Sequence, residues 1–400
     1  MRISTSQKYQ MAVQAMLTQQ ARLSKTQNQV ATGKRVQTPS DDPVAAVQIN
    51  NLTQAQSANQ QFGKNNSIAT TRLQLEEQAL NDTTTVTQRV RELIVQANTA
   101  TLNTSDRQSI ATELKSRKDE LLAIANRKDS NGEYLFGGLS GGTQPFVAGA
   151  NGSVNYVGDA GSRSVQVDAS LSVQDGDPGN RLFMDIQAGN GTFTATATAT
   201  NTGSGVLDAG TVVNASQWVA GNYTVKFGAA GAWSATDSGG TQVGSGTYTG
   251  AAGSTISFLG IQVGISGSPA ANDTLTIAPS GTQDVFSTIS SAVTALQAPI
   301  ANDAQRAQFT TTMNATLQQL DQVGNNVSQV HAQVGARLSM LDDTENARQN
   351  SLLDLKSASG NLSDLDYASA VASLSQQQLG LQAAQAAFAT TSKLSLFNYL

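Results

Sequence analysis

The sequence predicts an α+β protein in which the N- and C-terminal segments form an elongated helical bundle or coiled coil that carries an inserted antiparallel β domain. Of the 35 glycines, 28 lie between Gly137 and Gly281, together with both tryptophans. The two flanks instead repeat apolar residues in steps of three and four, which is the spacing of packed helices. We therefore expect five segments: an N-terminal helix at 1–37, helical rods at 38–137 and 282–359, a β-rich region at 138–281, and a C-terminal helix at 360–400.

The first predicted helix ends near residue 31. Gly33 is a common residue at a helix C-terminus, and Pro39 prevents the helix from continuing. Before this point, apolar residues and glutamines alternate in steps of four and three, which predicts a seam that packs against another helix. The seam consists of Met16, Gln20, Leu23, Gln27 and Val30.

The stretch TPSDDPVAA at 38–46 places Asp41 and Asp42 side by side before Pro43. Adjacent carboxylates can bind a metal, but this stretch offers no histidine or third carboxylate to complete a coordination shell. Asp is a preferred helix N-cap, and Pro is a preferred first helical residue. We therefore predict a helix that starts at Pro43 and runs to about Asn98, over roughly 80 Å at ~1.5 Å per residue.

Another helix start is predicted at Ser105. Gln108 follows three residues later, as in a capping box, in which the Ser and Gln side chains satisfy the first backbone N–H groups of the helix. An apolar helical pattern then follows, which consists of Ile110, Leu114, Leu121 and Ile124.

The middle region predicts short antiparallel strands separated by turns. TFTATATAT at 192–200 alternates strictly, and turn formers such as Asp237 and Gly240 separate the later runs, which suits a sandwich or a barrel. A break near Gly189–Gly191 would divide the region into two modules, but one module is also compatible with the pattern. The later strand-like runs are NYTVKFG at 222–228, GTYTG at 246–250, TISFLGIQVGI at 255–265 and TLTIAP at 274–279.

Two C-terminal segments, 302–357 and 364–390, repeat the helical period. Because segments that are distant in sequence share one period, we predict that the start and the end of the chain pack side by side. The seam of the longer segment consists of Met313, Leu317, Leu320, Gly324, Val327, His331, Val334, Leu338 and Leu341, followed by Arg348, Leu352 and Leu355. The seam of the last segment consists of Tyr367, Val371, Leu374, Gln378, Leu381, Gln385 and Phe388.

Glutamines interrupt the seams of both terminal helices. With so little apolar surface, each terminal helix alone cannot offset the entropy lost when it becomes ordered. Neighbouring subunits would supply the missing burial; alternatively, the glutamines only set the register. The ending KLSLFNYL is apolar without a local partner, so we expect it to join the same surface. The predicted assembly surface consists of Met16, Leu23, Val30, Val371, Leu374, Leu381, Phe388, Leu394, Leu396, Phe397, Tyr399 and Leu400.

Three further motifs are predicted to be structural. DSNGE at 129–133 resembles a calcium loop, but Gly132 comes two positions too early, so we predict a turn. Asp175 and Asp177 in QDGDPGN are predicted to form a β-turn. His331 is the single histidine, and its seam position predicts a helical packing or interface role. These motifs imply no catalytic residue, no metal and no cofactor.

Composition excludes several classes of function. There is no cysteine, so disulfides, thiolate metal sites and cysteine nucleophiles are excluded. The net charge of -5 arises from 24 basic and 29 acidic residues without a long run of one sign, which argues against nucleic acid and anionic membranes as partners. No apolar stretch approaches the roughly 18 residues that span a bilayer, and the N-terminus lacks the apolar core of a secretory signal. We expect neither membrane insertion nor a cleaved signal peptide.

Several stretches resemble the flagellin superfamily: MRISTSQKY at the start, QQARLSKTQNQVATGKRVQTPSDDPVAA after it, NRKDSNGEYLFGG at 126–138, YVGDAGSRSVQVD at 156–168, and AAQAAFATTSKLSLFNYL at the end. Flagellins typically read DDAAG where this chain has DDPVAA. That difference, the EYLFGG run and the SLFNYL ending resemble the hook-filament junction proteins of the superfamily. The motif residues are Asp42, Pro43, Asn131, Gly132, Tyr134, Leu135, Phe136 and Gly137.

The resemblance implies a flagellin-like fold and a structural, non-enzymatic subunit of the bacterial flagellum, located outside the cell. It implies self-assembly into a ring between the first hook-filament junction protein and flagellin. It also implies export by the flagellar type III apparatus, with an export chaperone that covers the assembly surface beforehand. The segment from about 190 to 281 departs from the shortest members of the family.

Three alternatives are compatible with the residues. One is a flagellin filament subunit, which shares the architecture. Another is an adhesin or phage-tail-like β protein on a helical stalk, because the Thr- and Gly-rich middle region could bind surface ligands. The last is an enzyme, such as a hydrolase with paired carboxylates, on the β domain.

Overall fold

The computed structural model describes residues 5–99, 102–250 and 254–393. Long helices lie at both ends of the chain, and antiparallel strands lie between them. Among the described residues, no helix combines the length and apolarity needed to cross a membrane. The helices are α1 (Thr5–Thr32), α2 (Pro43–Ala97), α3 (Thr104–Ala125), α4 (Gly179–Phe183), α5 (Val285–Gln297), α6 (Asp303–Ser363) and α7 (Tyr367–Lys393).

The strands are short and pair antiparallel throughout. They are β1 (Phe146–Ala148), β2 (Val154–Tyr156), β3 (Ser164–Gln166), β4 (Ser172–Gln174), β5 (Ile186–Gln187), β6 (Phe193–Ala197), β7 (Val206–Leu207), β8 (Thr211–Val212), β9 (Tyr223–Phe227), β10 (Ala232–Asp237), β11 (Gln242–Thr247), β12 (Thr255–Phe258), β13 (Ile261–Ser266), β14 (Thr274–Pro279) and β15 (Thr282–Gln283). The α+β fold class and the helical segments predicted at both chain ends are confirmed.

The chain divides into two compact units. One unit combines the chain up to Lys64 with the chain from Asp343 onward, and the other spans Asn65–Asp342. α2 and α6 each contribute residues to both units. The predicted helix from Pro43 to about Asn98 is confirmed as α2, and the predicted long helix over 302–357 is confirmed as α6.

A helical core forms most of the second unit. α3 packs against α5, and the buried faces of α2 and α6 complete the core. The segment 136–186 adds aromatic side chains to this same core: the Phe146 ring lies 5.4 Å from that of Phe183 and 5.8 Å from that of Phe286 on α5. Strands β1–β5 therefore belong to the helical core rather than to a separate one.

The segment 193–279 has its own core. One sheet has the strand order β11-β10-β9-β14-β6, and the other has the order β12-β13-β7, with β8 also paired to β13. Inward side chains of both sheets share one hydrophobic cluster, which is the arrangement of a sandwich. The change from one core to the other falls between Ile186 and Phe193.

Two strand predictions need correction. TISFLGIQVGI is not one strand but a hairpin of β12 and β13, because Leu259 (φ 45°) and Gly260 (φ 74°) form a tight turn between them. The GTYTG run overlaps a strand only at its start, since β11 ends at Thr247. The hydroxyl of the next residue, Tyr248, donates to the backbone oxygens of Ile265 (2.9 Å) and Gly267 (2.8 Å) instead.

The predicted cap of α3 is wrong. Ser105 lies inside the first turn, and the N-cap is Asn103, whose Oδ1 accepts from the backbone N–H of Asp106 (2.9 Å). Asn is as good a cap as Ser, so the helix begins at the earlier of the two suitable residues.

The seam of α6 is correct at alternate positions only. Met313, Leu320, Val327, Val334 and Leu341 are buried as predicted, but between them the buried residues include Thr316, Val323 and Val330, each one position before the predicted one. His331 is consequently half-exposed, with Nε2 3.6 Å from Glu77 Oε1; it lies outside the buried seam, and its interface role stays a prediction. Steps of three and four are satisfied by either register, and the facing partner selects between them.

Candidate interaction surface on the terminal helices

Two helices from opposite ends of the chain pack antiparallel in the first unit. The rings of Tyr9 on α1 and Phe388 on α7 lie with their centroids 4.8 Å apart. Further along, the Gln19 side-chain amide donates to the backbone oxygen of Gln377 (Nε2–O 3.3 Å). The start and the end of the chain are therefore neighbours along the pair, as the shared period predicts.

The segments that flank this pair are bonded through their backbones. Arg35 N donates to Ser363 O (2.7 Å), and Leu365 N donates to Gly33 O (2.9 Å). The Arg35 guanidinium also donates to Leu362 O (Nη2–O 2.8 Å). These bonds join the link after α1 to the link between α6 and α7. The sequence contained no signal for the partners of Arg35.

Half of the predicted seam residues lie on the partly buried sides of the two helices. Met16, Leu23 and Val30 on α1 are half-buried. On α7, Val371 is 49% exposed and its predicted seam position is wrong; Ala370 is buried instead. Of the other apolar residues predicted in the α7 seam, Leu374, Leu381 and Phe388 are half-buried, whereas Tyr367 is 53% exposed, so its predicted seam position is also wrong.

The glutamines placed in the seams lie outside them. Gln20 and Gln27 are exposed, whereas Gln19 is half-buried and Thr26 is buried. The same shift of one residue occurs on α7, where Gln378 and Gln385 are exposed and the half-buried residues are Gln377 and Ala384. The reason is the one found for α6: the period defines a helix but leaves its register open. The contact face remains poor in large apolar side chains, since amide, hydroxyl and methyl groups occupy alternate positions.

Large apolar side chains are exposed on both helices away from this contact face. Leu17 on α1 is 57% exposed and Leu379 on α7 is 67% exposed. We call this set the outer apolar surface; it consists of Met11, Leu17, Val371 and Leu379. The predicted tail residues Leu394, Leu396, Phe397, Tyr399 and Leu400 lie outside the described residues.

Asp42 caps α2 as predicted. Its Oδ1 accepts from the backbone N–H of Ala45 (3.0 Å), and its Oδ2 accepts from Arg35 Nη1 (3.1 Å). The pKa of Asp42 lies below its usual value, mainly because of the hydrogen bond from the Ala45 N–H and next because of the Arg35 guanidinium. Pro43 is the first residue of the helix.

Asp41 has a role that the sequence did not reveal. Its Oδ1 lies 2.7 Å from Lys25 Nζ on α1, and its Oδ2 accepts from the backbone N–H groups of Gln37 (3.1 Å) and Thr38 (3.0 Å). The Lys25 ammonium is the main reason that the pKa of Asp41 lies far below its usual range. Asp41 therefore fastens the loop between α1 and α2. Within the described residues, no group of three or more His, Asp or Glu side chains is placed to hold a metal ion.

The DSNGE stretch in the second unit forms the predicted turn. Asp129 Oδ1 accepts from the backbone N–H groups of Asn131 (2.8 Å) and Glu133 (3.0 Å), and Gly132 has a φ of 84°, which favours glycine. Asp129 Oδ2 lies 2.7 Å from Arg72 Nη1 on α2, and both side chains are buried. A buried ion pair thus holds the turn to α2.

The YLFGG residues that follow form a packed corner. The Lys128 Nζ lies 4.6 Å from the centroid of the Tyr134 ring, and Leu135 is buried. Phe136 is buried, and its backbone oxygen accepts from the Gly179 N–H (3.0 Å). A Cβ at Gly137 would lie only 3.0 Å from the backbone oxygen of Ser140.

The β-turn predicted at Asp175 and Asp177 is absent, and both side chains are buried. Arg163 Nη2 lies 2.6 Å from Asp175 Oδ2, and Arg337 Nη1 on α6 lies 2.7 Å from Asp177 Oδ2. The local residues suit a turn, but the two carboxylates instead pair with arginines from elsewhere in the fold: Arg163, which lies just before β3, and Arg337 on α6.

Comparison with known proteins agrees with this architecture. The family described as the bacterial flagellin N-terminal helical region matches residues 3–140, and the D2-like domain of flagellar hook-associated protein 1 matches residues 196–279. The chain is 30% identical over 398 residues to flagellar hook-associated protein 3 of Escherichia coli strain K12, in an alignment that covers 99% of each protein.

Solved structures give the same result. The chain is 37% identical to FlgL of Xanthomonas campestris, with a TM-score of 0.72 over 76% of this chain and 98% of that one. It is 31% identical to the flagellar junction protein FlgL from Legionella pneumophila, with a TM-score of 0.71 over 80% of this chain and 100% of that one.

Terminal helices that pair with each other, an antiparallel β insertion in the middle of the sequence and a flagellin-type N-terminal region define a protein of the flagellin superfamily. Similarity to the flagellin of Escherichia coli strain K12 covers 33% of this chain, whereas similarity to hook-associated protein 3 covers its whole length. The chain belongs to the flagellar hook-associated protein 3 family. The resemblance seen in the sequence is confirmed.

Proposed function

We propose that this chain is a structural subunit that forms the layer between the hook side and the flagellin filament, and that it self-assembles through α1 and α7. The observation that carries the proposal is the outer apolar surface. Leu17 and Leu379 expose more than half of their side-chain area on two helices that bury little large apolar surface between them. Neighbouring subunits would cover this surface, and the gain would come from apolar burial.

The partners follow from a position in this layer. On one side the chain would contact the first hook-filament junction protein, and on the other side flagellin. Before assembly, an export chaperone would cover the apolar helices, and the type III apparatus would deliver the chain to the outside of the cell. The role is structural rather than enzymatic, since the full-length relative is a hook-associated protein.

The proposed organisation assigns assembly to the ends and display to the middle. Segments 1–37 and 360–400 would be the assembly helices, 38–137 and 282–359 the helical rods, and 138–281 the outer domain. The two separate cores on either side of Gly189–Gly191 support the two-module alternative for the outer domain.

The test replaces Leu17 or Leu379 by Asp in the full chain. Both side chains are exposed, so we expect the melting temperature of the purified protein to stay unchanged. Cells in which one of these variants replaces the wild-type protein should shed their filaments. The shedding would be measured as flagellin in the medium and as loss of swimming. Val213→Asp is the matched control, because Val213 is equally exposed but lies in the β module. Normal filaments in both Leu variants would refute assembly through this surface.

A further inference from the structure

Two buried polar atoms of α2 stand out in the second unit. Arg72 and Glu76 are 6% and 2% exposed, and they lie one helical turn apart. The Arg72 Nη atoms donate to Asp129 and to the Tyr134 backbone oxygen, and Glu76 Oε1 accepts from the Asp177 N–H (3.2 Å). Arg72 Nε and Glu76 Oε2 make no hydrogen bond to any residue that the structure describes. A buried donor and a buried acceptor without partners each cost free energy.

Both atoms border the same point in space. An ideal Cβ on Gly176 would lie 3.6 Å from Arg72 Nε, 3.8 Å from Glu76 Oε2 and 3.8 Å from the backbone oxygen of Leu135. A cavity of about 10 Å³ next to Gly176 is lined among others by Arg72, Leu135, Gly176 and Asp177; Glu76 is not one of its lining residues, and its nearness to the site rests on the distance from Gly176. This volume matches the space that one buried water requires, and three polar partners is the usual number for such a water.

We propose that the cavity beside Gly176 is a binding site for one structural water, which bridges Arg72 Nε, Glu76 Oε2 and the Leu135 backbone oxygen. The water accepts from Arg72 Nε–H and donates to Leu135 O. It accepts from the Glu76 carboxyl when that group holds its proton and donates to it when the group is ionised. The pKa of Glu76 is raised to about 8, mainly because the carboxyl is buried and to a smaller extent because the Asp177 carboxylate is nearby. The protonated form of Glu76 therefore prevails at neutral pH.

The bridge would connect two pieces of chain that are distant in sequence, at a point that a third piece borders. Arg72 and Glu76 belong to α2, Leu135 belongs to the YLFGG corner, and Gly176 belongs to the segment between β4 and α4. The water site would then explain why residue 176 is a glycine, because any Cβ would occupy the space of the water.

Gly176→Ala in the full chain is a sharp test, because sterics and hydration predict opposite signs. The φ of Gly176 lies outside the left-handed range, and contacts of 3.6–3.8 Å are ordinary for a methyl group. If the space were unused, alanine would raise the melting temperature by restricting the unfolded chain. Displacement of a water would leave both polar atoms without a partner, so we expect a lower melting temperature. An unchanged or higher value would overturn the proposal.

Two further measurements make the result specific. Gly142→Ala is the control, since a Cβ there meets nothing within 4 Å and the φ of Gly142 is also outside the left-handed range; its melting temperature should not fall. Gly176→Ser should be more stable than Gly176→Ala, because the hydroxyl can replace the water; a serine variant no more stable than the alanine variant would count against the site.

A crystal structure that shows other buried waters but no density between Arg72 Nε and Glu76 Oε2 would also refute the proposed water site.

Discussion

The guanidinium of Arg337 on α6 forms a bidentate ion pair with the carboxylate of Asp177. Nη1 lies 2.7 Å from Oδ2, and Nη2 lies 3.1 Å from Oδ1. The Asp177 side chain is 1% exposed and that of Arg337 is 14% exposed, so solvent screens this pair little. The pair fixes α6 to the segment between β4 and α4, next to Glu76 and the cavity beside Gly176.

Arg337→Ala should destabilise the second unit strongly. The substitution leaves Asp177 buried, and among the described residues its remaining charged partner is Arg181, whose Nη1 lies 3.4 Å from Asp177 Oδ1. Removal of one partner from a buried pair should cost about 3 kcal/mol of unfolding free energy, measured by urea denaturation. Arg91→Ala is the control, because the Arg91–Asp321 pair is exposed and should contribute less than about 1 kcal/mol. Equal losses in the two variants would show that the Arg337 pair is not desolvated.

Glu76→Gln should change how stability depends on pH. The pKa of Glu76 is raised from 4.5 to about 8, so between these values the native state keeps a proton that the unfolded state releases. Under that condition the stability of the wild type falls as the pH rises. The melting-temperature difference between Glu76→Gln and wild type should therefore be small at pH 4.5 and should grow in favour of the variant up to about pH 8.

Asp177, Arg337 and Arg72 face Glu76 and remain in both proteins, so the difference isolates Glu76. Glu77→Gln is the matched control, since Glu77 is half-exposed beside His331. A difference that does not vary with pH would mean that Glu76 is ionised in the native state throughout this range.

Asn103→Ala should cost about 1 kcal/mol of unfolding free energy, because it removes the acceptor for the Asp106 N–H at the start of α3. Ser105→Ala, at the cap expected from the sequence, should change stability by less than about 0.5 kcal/mol. Thermal denaturation of both variants compares the two positions directly. A larger loss for Ser105 would mean that α3 begins two residues later in solution.

Period and end signals in the sequence were sufficient to locate the long helices α1, α2 and α6. Asp42 before Pro43 located the start of α2, and Gly33 located the end of α1, because capping depends on a few adjacent residues. The register of the seams was not accessible in the same way. Val330 and His331 are both compatible with steps of three and four, and the choice between them depends on side chains from other helices.

The buried ion pairs could also not be predicted from the sequence. Asp177 reads as a turn residue because its neighbours are Gly and Pro, whereas its partner Arg337 lies 160 residues later. Such a pairing exists only after the chain has folded. For the candidate surface, the sequence indicated which two helices to examine, but Leu17 and Leu379 emerged only from their exposure, since neither lies on the predicted seam.

Gly33→Ala should loosen the joint between α1 and α7. Gly33 has a φ of 69°, where a Cβ is strained, and the Cβ would lie 2.9 Å from the hydroxyl oxygen of Tyr367. We expect a loss of about 1–2 kcal/mol, read from faster hydrogen exchange of the Leu365 N–H, which donates to Gly33 O.

The steric part of this loss should be recoverable. Tyr367→Phe removes the hydroxyl, so the double variant Gly33→Ala with Tyr367→Phe should exchange more slowly than Gly33→Ala alone. Gly33→Asn should destabilise less than Gly33→Ala, because Asn tolerates the left-handed conformation better.

Gly324→Ala in α6 is the control: a Cβ there meets nothing within 4 Å, and alanine in a helix should stabilise by about 0.5–1 kcal/mol. If Gly33→Ala left the exchange of Leu365 unchanged, the backbone bonds between the two links would not be what holds α1 against α7, and the outer apolar surface would have to be reconsidered without this joint.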